Sequence, residues 1–72
     1  MKIGSFVTAT KRIEDFDPNT GGSLEVQFST RGKVRDVLTL EDGTTSYLVA
    51  FEGAPVAVEV ESDQVATFLA LA

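Results

Sequence analysis

From Leu24 to Ser29 the chain alternates without exception: Leu24, Val26 and Phe28 are apolar, while Glu25, Gln27 and Ser29 are polar. A period of two sends successive side chains to opposite faces, so this stretch specifies a half-buried β-strand, not a helix, whose apolar positions recur every third or fourth residue. The signature returns near the end, where Val56, Val58 and Val60 alternate with Ala57, Glu59 and Glu61. Turn-forming residues punctuate the chain at intervals that leave room for short strands and for no long helix. The expected class is therefore all-β.

A chain of 72 residues can build only one modest core, and with no cysteine it has neither disulfides nor thiolate-bound metal to reinforce it. Packing must hold it together. The 43% hydrophobic and 24% charged content is sufficient for a globular fold and argues against disorder. No linker, repeat or low-complexity run divides the chain, so residues 1–72 read as a single domain. No apolar stretch approaches the roughly 18 residues of a membrane span, and the start, Met1-Lys2-Ile3-Gly4, lacks the apolar core of a signal peptide. With the absence of cysteine, these features make a cytoplasmic location and no membrane partner the expectation.

Residue by residue, Ile3 to Ile13 reads as extended, followed by a loop over Glu14 to Gly22 in which Pro18, Asn19, Gly21 and Gly22 favour turning. After the alternating strand, Gly32 acts as a break, and Val34 to Leu40 forms the next strand. There the adjacency of Val37 and Leu38 implies a bulge near Arg35 or Asp36. Asp42-Gly43 between apolar runs is a hairpin signal. Tyr47 to Phe51, apolar on both faces, reads as a central strand. Ser62 and Asp63 are candidates to cap a short helical turn carrying Val65 and Phe68 inward, and the tail Phe68 to Ala72 suits a closing strand better than more helix. Strands this short are expected to form a small curled antiparallel barrel of about five strands that closes to remove its own edges.

The charge is unevenly distributed. All six basic residues, Lys2, Lys11, Arg12, Arg31, Lys33 and Arg35, precede Asp36, and from Asp36 onward there are seven acids and no base, within a net charge of −5. Phosphate binding needs a surplus of Lys and Arg, so nucleic acid is not an expected partner. Unless strand pairing brings the halves together and cancels them, such asymmetry can steer a charged protein partner.

Catalysis finds few candidates. With no histidine or cysteine, the commonest general base and strongest nucleophile are missing, and no nucleophile elbow or phosphate loop is present. The carboxylate pairs Glu14/Asp15 and Glu41/Asp42 read as solvated turn residues. Asp15-x-Asp17-x-Asn19 spaces oxygen ligands as a calcium loop begins, but Thr20 and Val26 stand where that loop needs Gly and Glu, so a hydrogen-bonded turn is the better reading and no metal or cofactor is expected. The strongest functional candidate is the alternating basic triplet Arg31, Lys33 and Arg35, which an extended strand projects from one face, either as an edge that deters strand addition or as a docking patch for an acidic partner. Glu59 and Glu61, the wet face of their strand, are the matching candidates for a basic partner.

The order Gly4-x-x-Val7, Gly32-Lys33-Val34, Tyr47-Leu48-Val49-Ala50-Phe51 and Asp63-x-Val65 resembles the SH3-like small β-barrels. Length and layout are similar to those of ferredoxin-thioredoxin reductase variable chains and the accessory barrels of photosynthetic complexes, although the acidic, Gly-rich loop Glu14 to Ser23 departs from them. The resemblance implies a non-enzymatic accessory or regulatory subunit that binds a larger protein. The competing expectation, from the acidic second half, is an inhibitor of the kind some phages make, which blocks a nucleic-acid-binding enzyme by imitating its ligand.

Overall fold

The structure, a computed structural model, describes residues 1–72. Seven strands form: β1 (Phe6–Ala9), β2 (Ile13–Phe16), β3 (Ser23–Val26), β4 (Arg31–Thr39), β5 (Thr45–Phe51), β6 (Val58–Glu61) and β7 (Leu69–Leu71). Between β6 and β7 lie a 3-10 turn, Ser62–Gln64, and one turn of α-helix, α1 (Val65–Phe68). No helix is long and apolar enough to cross a membrane.

Five strands make an antiparallel sheet in the order β6-β5-β4-β1-β7, curled into a half-barrel, and β2 pairs with β3 in a separate hairpin. The alternation read from the sequence decides which side chains enter the curl. Val7 and Ala9 of β1, Val34 of β4, Val49 and Phe51 of β5, Val58 and Val60 of β6, and Leu69 of β7 are buried together, with Ile13, Leu24 and Val26 of the hairpin closing over them. Met1, Val37, Tyr47, Val65 and Phe68 are half-buried around this core.

Gly32 lies inside β4, opposite Phe51, and does not break a strand. It faces the core so closely that a Cβ there would lie 2.8 Å from Val49 Cγ1 and 2.9 Å from Phe51 Cδ1. The bulge falls where the sequence placed it: register shifts between Val34 and Asp36, leaving Arg35 without an opposite residue on β5. The Asp42-Gly43 turn joins β4 to β5, with Gly43 at φ +87°, a conformation that side-chain-bearing residues rarely adopt. The tail joins the sheet as β7, which pairs with β1 from Leu69 onward, while Phe68 ends the helical turn.

Other expectations need correction. Ile3 to Ile13 is not one extended run, because the chain turns between β1 and β2 to carry β2 away from the main sheet. The acidic segment Glu14 to Phe16 is strand, not loop, and the turn is confined to Asp17–Gly22. Phe28 does not share the buried face of Leu24 and Val26; β3 stops at Val26, Ser29 takes φ +71°, and Phe28 is 69% exposed. The helical turn forms as expected but without a side-chain cap from Ser62 or Asp63. Finally, the sheet curls without closing on itself, since β6 and β7 do not pair with each other.

Candidate functional site

Gly32 and Val34 are buried at alternate positions in the first half of β4, so their neighbours Arg31 and Lys33 project from the outer, convex face of the sheet, and both are exposed. Arg35 is exposed too, but it sits at the bulge, so the triplet does not continue the regular alternation of an extended strand. For Arg31 and Lys33 the edge reading is overturned by the pairing, because there β4 is flanked by β5 on one side and β1 on the other, whereas from Arg35 onward no β1 residue lies alongside. Charges that deter strand addition belong on edges, and these two stand in the middle of the sheet.

Register puts Phe6 of β1 directly beside Lys33 and Thr8 beside Arg31. The Lys33 ammonium lies 5.6 Å from the centre of the Phe6 ring, which is itself 62% exposed, a cation over an aromatic face that remains open to a further ligand. Beside them a shallow cleft of about 470 Å³ runs over Thr8 between Phe6, Arg31 and Ala72. Phe6 was not singled out in the sequence, where it is one β-former in a β-rich run; only the β1–β4 register makes it a neighbour of the basic residues.

The acidic candidates occupy the same face at the opposite corner. Glu59 and Glu61 alternate with buried Val58 and Val60 on β6. Glu59 is opposite Leu48 of β5, which on its other side is opposite Asp36 of β4, and Glu61 is opposite Ser46. Strand pairing thus brings the basic and acidic segments onto one face but does not neutralise them by contact: the ion pairs that form run from Arg12 to Glu14 and, at 3.8 Å, to Glu25, all outside this face.

A second cleft, of about 270 Å³, separates β6 from β2 and is lined by Glu14 and Asp15 on one side and Val58, Glu59 and Val60 on the other, with Phe68 at its end. Neither strand hydrogen-bonds across it. The carboxylates weighed for acid–base chemistry are otherwise dispersed. Asp42, at the β4–β5 turn, accepts hydrogen bonds from the Thr44 backbone N–H at 2.9 Å and from its hydroxyl, which hold its carboxyl below the usual range; it is fully solvated. Asp17 is buried within its own turn, accepting from the Asn19 N–H at 2.9 Å. Asp15 is directed to the Phe16 N–H, so the two do not converge on a shared ligand position, and no group of three or more acidic side chains is placed to hold a metal ion.

Comparison with protein-family models, with curated proteins and with solved structures finds no match to this chain.

Proposed function

We propose that the chain is a non-enzymatic SH3-like barrel that serves as an accessory or regulatory subunit of a larger protein, docking through Arg31, Lys33 and Arg35, with Phe6 beside them, on an acidic surface of that partner. The observation that carries the reading is the position of the cations. Arg31 and Lys33 lie where β4 is paired along both sides and have no edge to guard, and all three cations are exposed without an ion-pair partner, so their charge is available to something outside the fold. The exposed Phe6 ring adds what a purely electrostatic patch lacks, an apolar anchor able to hold a partner after encounter. A cytoplasmic setting goes with this reading.

The test is capture of the partner from the native source with tagged protein, followed by binding kinetics with a triple variant, R31S/K33S/R35S. Exposed charges contribute about 1 kcal/mol or less apiece to stability, so the variant should melt close to the parent. Its association with an acidic partner should slow and lose salt dependence, because charges at an interface rim act chiefly on encounter. Unchanged kinetics would refute the docking role. Faster association, or displacement of the partner by competing DNA, would favour the nucleic-acid mimic and move the contact to Glu59 and Glu61.

A further inference from the structure

The outer face of β4, β5 and β6 carries three bases, Arg31, Lys33 and Arg35, and three acids, Asp36, Glu59 and Glu61, with a fourth acid, Glu52, beside the basic corner, where its N–H donates to the Arg31 carbonyl at 2.9 Å; the rest of the chain carries seven acids against three bases. It is closer to charge balance than the rest of a strongly acidic molecule. The charges are sorted on it. Arg31 and Lys33 occupy the corner where β4 begins, Glu59 and Glu61 the corner where β6 ends, and Leu48 and Ala50 of β5, both half-buried, lie between. Two strand spacings, about 10 Å, separate β4 from β6, and no ion pair joins the corners.

We infer that this face is self-complementary and that a second copy of the chain docks on it, forming a two-fold dimer. The inference rests on the reading of the basic patch as a docking site for an acidic surface, and it names one such surface. A two-fold axis lying in the plane of the face and running diagonally across β5 carries the Arg31/Lys33 corner of one copy over the Glu59/Glu61 corner of the other, and does so twice, as an isologous interface must. Arg35 and Asp36, adjacent at the bulge, fall near that axis, so each Arg35 stands close to the other copy's Asp36. Like charges approach at the axis and where Glu52, beside Arg31, comes toward the other copy's acidic corner; elsewhere they are kept apart. Leu48 and Ala50 supply the apolar centre, with Phe6 at the rim beyond Lys33, and the convexity of the sheet keeps the contact small, so the dimer is weak and salt-sensitive.

The experiment is sedimentation equilibrium on the full chain, at about 10 mM and about 1 M ionic strength, where the screening lengths are roughly 30 Å and 3 Å. The expected result is a dimer at low salt that dissociates at high salt. Two charge-reversed variants, R31E/K33E and E59K/E61K, should each weaken self-association at least about ten-fold, and an equimolar mixture should form a heterodimer. All these side chains are exposed, and an unchanged circular dichroism melt confirms that each variant folds. A parent that is monomeric at low salt, variants that self-associate as the parent does, or a mixture that fails to associate would each overturn the dimer. If the parent is monomeric while R31S/K33S/R35S still loses its captured partner, the dimer fails and the docking reading stands.

Discussion

Gly32 is the point at which this core tolerates least, and Gly32→Ala tests that directly. Removing glycine from a strand interior ordinarily helps, by roughly 0.5–1 kcal/mol, because alanine has less backbone freedom to lose. Here the added methyl would meet Val49 Cγ1 at 2.8 Å, Phe51 Cδ1 at 2.9 Å and Phe51 Cε1 at 3.1 Å, where carbon atoms in contact prefer about 3.5–4.0 Å. Val49 is completely buried and Phe51 nearly so, leaving neither side chain an open direction in which to retreat. Overpacking of this kind costs about 1–3 kcal/mol, so the net effect is a loss of about 1–2 kcal/mol, which lowers the melting temperature of a domain this size by roughly 5–15 °C. Thermal melting followed by far-ultraviolet circular dichroism, with urea titration to verify an unchanged slope, reads the effect. Combining Gly32→Ala with Val49→Ala should cost less than the two changes added together, since one removes the methyl that the other strikes. A Gly32→Ala protein that melts at or above the parent temperature would refute the close approach of β4 and β5.

Phe51→Ala and Val49→Ala should each destabilise by about 2–5 kcal/mol, Phe51→Ala the more, and equilibrium urea unfolding checks this; a change under about 1 kcal/mol for both would remove β5 from the core. Ser46 is fully buried and its hydroxyl has no hydrogen-bond partner, so Ser46→Ala should match or exceed the parent in melting temperature, and a loss beyond about 1 kcal/mol would show that the hydroxyl is bonded. The folded-state pKa of Asp42 is depressed below its ordinary value of 3.8, so its contribution to stability is present above that pH and is lost as pH falls through the folded value. The stability gap between parent and Asp42→Ala, measured by urea unfolding, should therefore be constant near neutrality and narrow below about pH 3.8; a gap that persists undiminished at lower pH would refute it.

Much of the fold could be read locally because the determining interactions are local. Period-two burial in β6, the Asp42-Gly43 turn and the bulge beside Arg35 all follow from neighbouring residues. What escaped depends on partners distant in sequence. Nothing within Glu14-Asp15-Phe16 marks it as strand; it becomes one because β3 lies alongside, Ile13 opposite Val26 and Phe16 opposite Ser23. Phe28 continues a flawless alternation yet is exposed, because the chain leaves the hairpin after Val26 to reach β4. At the candidate site, alternation marked Arg31 and Lys33, but the strand order that places them in mid-sheet and the register that sets Phe6 beside Lys33 are properties of the assembled sheet.

That strand order also shapes how the molecule must come into being. β1 is held by β4 on one side and on the other by β7, whose Leu71 lies opposite Val7. Emerging from a ribosome at about 5–20 residues per second, the chain would wait roughly 3–12 seconds between making β1 and making its last partner. During that interval β1 has an unpaired edge, and Phe6 at its start is exposed even in the finished fold. The hairpin of β4 and β5 can form early and locally, whereas the half-barrel is completed only when the two ends of the sequence meet. Synthesis rate and chaperone access therefore bear most heavily on a segment that looks, in the finished molecule, like the secure middle of a sheet.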